Sequence, residues 1–357
     1  MFRNFEAETA DELWEKASRA FVSGHVRKQP GRGAPTLELL HVSLTLRDPR
    51  QRWILSRTPA LNPAFALAEV VWILSGHRDA GFLNYWNRRL PEFAGYSSIY
   101  HGSYGYRLRS HFGIDQLERA ASALKRNPDG RQVVLQIWDP ASDLPHPDGS
   151  PRDADIPCNV CALLKVRDGK LEWLQVTRSN DLFLGLPHNL IQFTTLQEVL
   201  AGWIGVGVGE YHQISDSLHV YQDDLKHIEE SQLAPSSAGL HVNPDSVALP
   251  ADLAVPLLRE LDIRARAMTD DNLGREDLSH LVSSFDSPPG LKNWLAVLGA
   301  EAARRRRWQD IASELAGLCT NPALLNAWER WCGRLAQSVG DAQLTNRSVV
   351  GASGKAL

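Results

Sequence analysis

The chain has 357 residues, 43% apolar and 22% charged, with 11 tryptophans and a formal net charge of −4, which fits one large globular domain or two ordinary ones. That charge argues against a general nucleic-acid or membrane-surface protein, and the longest apolar run, from Ala64 to Leu74, is too short to span a bilayer. Four scattered cysteines do not make a disulfide scaffold, and the residues from Met1 to Glu8 lack a secretion-signal pattern, so a cytoplasmic location is expected.

In chain order, Ala10 to Phe21 reads as a helix and Thr36 to Leu46 as an alternating strand. Asn62-Pro63 supplies an N-cap followed by proline in the first turn, and Gly76 closes the pattern. This predicts a helix carrying Phe65, Leu67, Ala68, Val71, Trp72 and Leu74. A second helix is predicted over Ile114 to Leu124, ending at Asn127-Pro128-Asp129-Gly130, and a strand over Arg131 to Trp138. A polar loop from Asp139 to Asp155 leads into two strands, Asn159 to Val166 and Lys170 to Thr177, joined as a hairpin at Asp168-Gly169. Asn189 opens a further helix with Leu190, Ile191, Phe193, Leu196, Val199, Leu200 and Trp203 at helical spacing. Residues 232–250 read as loop, and helices are predicted over 251–268, 289–318 and 321–337. The expected organisation is a catalytic α/β domain over 1–245 and a C-terminal helical extension over 246–357.

Three local oddities bear on chemistry. Glu69 sits inside an apolar helix, where a carboxylate is kept for a structural ion pair or for proton transfer. The tetrad Arg178-Ser179-Asn180-Asp181 ends a strand and leads into a loop with Gly185 and Pro187, a place that commonly positions ligand groups. Cys158 begins a strand after a long polar loop, and a nearby arginine would favour its thiolate. Cys158 and Cys161 form a C-x-x-C pair, but residues three apart on a strand face opposite ways and no second pair completes a metal shell. No metal is expected.

Together the fragments are more specific. The run from Thr177 to Asn189 closely resembles the thymidylate synthase signature R-S-x-D-x-F-L-G-x-P-x-N. Matching fragments occur in the order that family requires: Ala68-Glu69-Val70-Val71-Trp72, Tyr104-Gly105, Asp129-Gly130-Arg131, Pro157-Cys158, and Val208-Gly209-Glu210 with His219-x-Tyr221. The resemblance covers roughly residues 32–230. It implies a large mixed twisted sheet flanked by helices, with an all-α extension after it.

By that resemblance, Cys158 adds to C6 of a pyrimidine ring and makes C5 a nucleophile toward the carbon of 5,10-methylenetetrahydrofolate, the co-substrate. Arg178 would serve the thiolate and the substrate phosphate, Glu69 and Tyr104 proton transfer, and Asp181, Gly185 and Trp86 the folate. Ser179, Arg32 and Arg131 would bind phosphate, with Arg131 given across a homodimer interface, and His219 and Tyr221 would hold the ribose. Asn189 would read the base: its carboxamide suits uracil, although a flipped amide would pair with cytosine. The family's cytosine-specific hydroxymethylases carry aspartate there. The resemblance thus implies a pyrimidine nucleoside monophosphate as substrate and methylation of dUMP to dTMP, with 5-hydroxymethylation of dUMP, dCMP or CMP as the alternative. A non-catalytic nucleotide- or RNA-binding homologue is a further reading.

The sequence also departs from the family pattern. Asn159 follows the nucleophile where synthases usually have histidine, Gln132 replaces an arginine of the phosphate turn, and His188 replaces a phenylalanine. The chain finishes in helices rather than a short apolar tail that closes over the folate. Closure decides whether hydride or water meets the exocyclic methylene on the nucleotide. The run Arg304-Arg305-Arg306-Arg307 reads as a solvated helix face, or as a grip for RNA or polyglutamate.

Overall fold

The computed structural model describes residues 3–23, 26–31, 33–233 and 242–352, with side chains in the last helix described as far as residue 337. Its strands are β1 (Arg3–Ala7), β2 (Arg27–Gln29), β3 (Thr36–Leu46), β4 (Val134–Gln136), β5 (Asn159–Arg167), β6 (Lys170–Thr177), β7 (Asn180–Asp181) and β8 (Gly207–Tyr221). They form a mixed sheet in the order β1-β3-β8-β6-β5-β4, with β2 beside β3 and β7 beside β8. β6 and β8 run parallel, so Trp173 lies beside Tyr211, Gln175 beside Gln213 and Thr177 beside Ser215. All six side chains are buried. Because strand residues two apart share a face, the buried face of β6 and β8 passes from aromatic to amide to hydroxyl along the chain.

The helices are α1 (Ala10–Ser23), α2 (Pro63–Leu74), α3 (Ala80–Trp86), α4 (Leu90–Ala94), α5 (Tyr104–Tyr106), α6 (Gln116–Arg126), α7 (Pro140–Asp143), α8 (Gly185–Ile204), α9 (Leu225–Leu233), α10 (Ala251–Ala267), α11 (Arg275–Ser283), α12 (Pro289–Arg305), α13 (Gln309–Gly317) and α14 (Pro322–Ala352). The predicted cap of α2 is present: Asn62 Oδ1 accepts from the Phe65 N–H at 3.1 Å and Pro63 occupies the first turn. Every residue of α2 except Glu69 is buried. In α8 the exceptions are Gly185, His188 and Gly202. Helices this apolar on all sides belong to the centre of a fold, and α2 and α8 pack on each other there.

Several elements differ from the sequence reading. α8 begins at Gly185, so Asn189 lies inside the helix rather than at its start; Pro187 is tolerated because first-turn N–H groups have no intrahelical acceptor. The predicted 289–318 helix is two, divided where Arg307 takes a φ of 63°. β4 is shorter than Arg131 to Trp138. β1, β8 and α11 were outside the prediction; the central β8 carries Glu210, His212, Gln213, Ser215 and Asp216, which hide the apolar alternation of a strand.

Of the helices after residue 246, α10, α12 and α14 lie against α2, and α10 also against α8. Glu198 of α8 is their anchor: it pairs with buried Arg52 and accepts from Ser246 Oγ at 2.9 Å and the Val247 N–H at 3.0 Å. The arginine run is not a solvated face. Arg304 and Arg305 both bind the fully buried Glu301, Arg305 also donates to the Trp86 carbonyl, and Arg306 donates to the Tyr85 hydroxyl and the Met268 carbonyl. Burying a carboxylate this deeply is tolerated only when it is paired, so these arginines belong to the packing of α12 over α3. No helix among the described residues is long and apolar enough to cross a membrane.

Candidate active site

Cys158 stands one residue before β5, half-buried and outside any disulfide. The Arg178 N–H donates to its carbonyl at 2.9 Å, while the Arg178 guanidinium donates to the carbonyls of Pro157 and Ile156, each at 3.0 Å. Arg178 therefore fixes the loop that carries the thiol. Cys161 lies within β5 opposite Val176, past a bulge that interrupts the ladder after Asn159.

Glu69 on α2 and Tyr104 on α5 enter the same cleft. α5 reaches α2 closely because residue 105 is glycine; a Cβ there would collide with the Ile73 carbonyl. Burial pushes the Tyr104 phenol well above its ordinary range, reinforced by Cys158, Asp155 and Glu69 nearby, while a hydrogen bond from Asn159 opposes the rise. The Glu69 carboxyl is pushed up to about 7 by burial, with Asp155 adding to the rise and a hydrogen bond from Gln192 opposing it. Asp155 in turn accepts from the Gly102 N–H at 2.8 Å.

Asn189 sits in a continuous chain of buried hydrogen bonds. Trp173 Nε1 donates to Gln175 Oε1 at 3.0 Å, and Gln175 Nε2 donates to Asn159 Oδ1 at 2.9 Å. Asn159 Nδ2 donates to Asn189 Oδ1 at 3.4 Å, and Asn189 Nδ2 to Asn180 Oδ1 at 3.3 Å. Asn180 Nδ2 ends the run on Ser215 Oγ at 3.3 Å. An indole N–H can only donate, so it sets the direction of the whole chain. Flipping the Asn189 amide would oppose donor to donor and acceptor to acceptor at both neighbours. Asn159, a departure from the pattern of the signature, is thus the hub joining Asn189, Tyr104 and the sheet.

The turn from β7 into α8 is built around Asp181, whose Oδ1 accepts from the N–H groups of Phe183 and Leu184 at 2.8 and 2.9 Å. Burial raises its pKa. Gly185 follows directly, against Asn180 and Asp181. Arg57, absent from the sequence reading, stacks 3.7 Å over the Phe183 ring and donates to the Phe183 carbonyl at 2.9 Å. Burial lowers its pKa to about 9, with Arg334 reinforcing the effect. Trp86 has no exposed surface, is met edge-on by Phe82 and Tyr85, and its carbonyl accepts from Arg305.

Of the remaining expected residues, Ser179 lies half-buried beside Arg178. His219 faces Asp181 across the β7–β8 pairing, and its ring meets Tyr221 edge-on at 5.8 Å. Arg131 is exposed ahead of β4. Arg32 lies outside the described residues. The structure adds Asn159, Gln175, Gln192, Asp155 and Arg57. The signal for one of them was in the sequence: Gln175 interrupts the buried side of an apolar strand.

The sequence model of the thymidylate synthase family matches residues 17–246. A deoxyuridylate hydroxymethyltransferase of Bacillus phage SP01 is 38% identical over 204 residues, 54% of this chain and 52% of the relative. One of the same name from Pseudomonas phage M6 is 36% identical over 185 residues, 51% of this chain and 50% of the relative. A thymidylate synthase of Francisella philomiragia subsp. philomiragia is 27% identical over 195 residues, 51% of this chain and 70% of the relative. The chain spans about half the length of the two phage relatives. With the mixed sheet, the signature from Arg178 to Asn189 and the cysteine cleft in place, the chain belongs to the thymidylate synthase family, whose members are transferases of nucleotide biosynthesis.

Proposed function

We propose that this enzyme transfers the one-carbon unit of 5,10-methylenetetrahydrofolate to C5 of dUMP and releases 5-hydroxymethyl-dUMP, working through a covalent bond between Cys158 Sγ and C6. The observation that carries the substrate is asparagine at 189 with its amide locked in one orientation: a fixed acceptor and donor read uracil or cytosine but not both, and the family's cytosine-specific members carry aspartate there. Two phage relatives named for deoxyuridylate hydroxymethylation support the product. The folate supplies the electrophilic carbon when bound, and Asp181 with Gly185 would hold it.

In this reading Arg178 positions the thiol loop and the phosphate, with Ser179, Arg131 and Arg32. His219 and Tyr221 hold the sugar. Tyr104 takes the C5 proton, and Glu69 manages proton transfer at the ring. A homodimer with Arg131 contributed by the neighbouring copy completes the phosphate site. The half-buried apolar row of Leu163, Leu174, Val176 and Ile214 on the sheet face opposite the helices suits such an interface. The catalytic region is taken as 1–245 and the helical region as 246–357. Methylation to dTMP is the second reading, supported by the Francisella relative.

The test is a panel of dUMP, UMP, dCMP and CMP with the folate donor, read by mass spectrometry. The expected product is dUMP bearing CH2OH, with no dihydrofolate. A methylated product with dihydrofolate would select the second reading. 5-Fluoro-dUMP with the folate should give a ternary covalent complex that Cys158→Ser cannot form; no adduct with any of these nucleotides would point to a non-catalytic homologue.

A further inference from the structure

Two helices buried along their length each admit one side chain to the cleft. In α2 it is Glu69 and in α8 it is His188, the remaining exceptions in α8 being glycines. Glu69 Oε2 and His188 Nδ1 lie 3.5 Å apart. Both atoms are buried, and neither has a hydrogen-bond partner among the described residues. Leaving such atoms unsatisfied costs roughly 1–3 kcal/mol each, and two side by side in a family cleft call for an explanation. A direct hydrogen bond would have satisfied both at once. The ring is instead set by Phe65, edge-on at 5.1 Å.

Burial, with Arg57 nearby, lowers the His188 pKa to about 4, so the imidazole is neutral near pH 7 and offers an acceptor nitrogen. Two acceptors at this spacing can both be reached, at about 2.8 Å, by one water that donates a hydrogen to each. Its lone pairs then point away from both, toward an electrophile. Glu69 and Cys158 both raise the Tyr104 pKa, and α5, which carries Tyr104, packs on α2, which carries Glu69.

We infer that Glu69 and His188 together hold and activate the water that becomes the hydroxyl of the product, with Glu69 as base and His188 as the second acceptor that aims it. This rests on the hydroxymethylation reading. The water oxygen bonds to the exocyclic methylene carbon on C5 and its proton passes to the Glu69 carboxylate. The electron pair of the exocyclic double bond moves into the ring toward O4. It returns to re-form the C5–C6 double bond and expels Cys158 as the thiolate. No oxidant or reductant is needed.

The test uses the full chain with dUMP and the folate donor in water carrying heavy oxygen, with the product analysed by mass. Wild type is expected to give labelled CH2OH. His188→Phe is expected to slow its formation about 10²-fold, while binding of 5-fluoro-dUMP without folate, measured by calorimetry, changes by less than about twofold. His188→Gln, which keeps an acceptor, is expected to recover part of the rate. An unlabelled methyl product from wild type would overturn the hydroxymethylation reading itself. Labelled product at the wild-type rate from His188→Phe would overturn the water-activating role alone. If His188→Phe does not fold, the comparison of His188→Met with His188→Gln decides, and equal rates overturn the role.

Discussion

Gln175 donates to Asn159 Oδ1 at 2.9 Å, and through that bond the orientation of a strand amide reaches the base-reading Asn189. Gln175→Leu removes the donor and leaves Asn159 free to rotate. The expected result is a dUMP-over-dCMP preference in kcat/KM reduced by about tenfold or more, because an amide free to flip pairs with either base. Stability should fall by about 1–3 kcal/mol, the cost of an unpaired buried acceptor. Competition kinetics with both nucleotides measure the first, and urea unfolding the second.

Glu69 yields a pH prediction. Its carboxyl titrates near 7 in the fold against an ordinary 4.5, because burial disfavours the anion. The folded pKa is the higher one, so the stability from the protonated form is fully present below about pH 4.5 and is lost as pH rises through about 7. Glu69→Gln does not titrate. It should therefore exceed wild type in stability by about 1–3 kcal/mol at about pH 8 and match it near pH 4.5, while losing most activity. Denaturant melts at the two pH values check this; a constant difference between them would contradict the assignment.

The docking of the helical region should depend on Glu198. Arg52 and Glu198 are both nearly inaccessible, at 4% and 1% exposed. Glu198→Ala leaves the arginine buried and unpaired and removes the acceptor for Ser246 and Val247. The expected loss is about 3–5 kcal/mol, accompanied by faster proteolysis of the segment after residue 242.

The arginine run is expected to act on stability and not on RNA. Arg305→Ala gives up bonds to Glu301 and to the Trp86 carbonyl. Its melting point should fall, by about 1–3 kcal/mol in free energy, while retention on an RNA column and its salt dependence stay as in wild type.

Much of the fold was legible in the chain because it is written in local signals. The Asn62-Pro63 cap, the Asp168-Gly169 turn, with φ values of 49° and 71°, and the alternating run from Thr36 to Leu46 all act within a few residues. β8 escaped notice because its buried face carries Gln213 and Ser215, whose partners Gln175 and Thr177 are nearly forty residues away. The arginine run was misread for the same reason. Glu301 lies within one turn of it, but the Trp331 indole that donates to that carboxylate comes from α14 and the Trp86 carbonyl that accepts from Arg305 comes from α3.

The sequence by itself determined the family, the thiol at Cys158 and the order of the signature from Arg178 to Asn189, since those depend on residue identity and short spacing. Only the tertiary structure decided what surrounds them. It joined Asn159 to Asn189 through a one-way line of amides, set Glu69 beside His188, and tied Arg305 to the Trp86 carbonyl. Hydrogen-bond direction and burial are properties of groups brought together from distant segments, and no local pattern carries them.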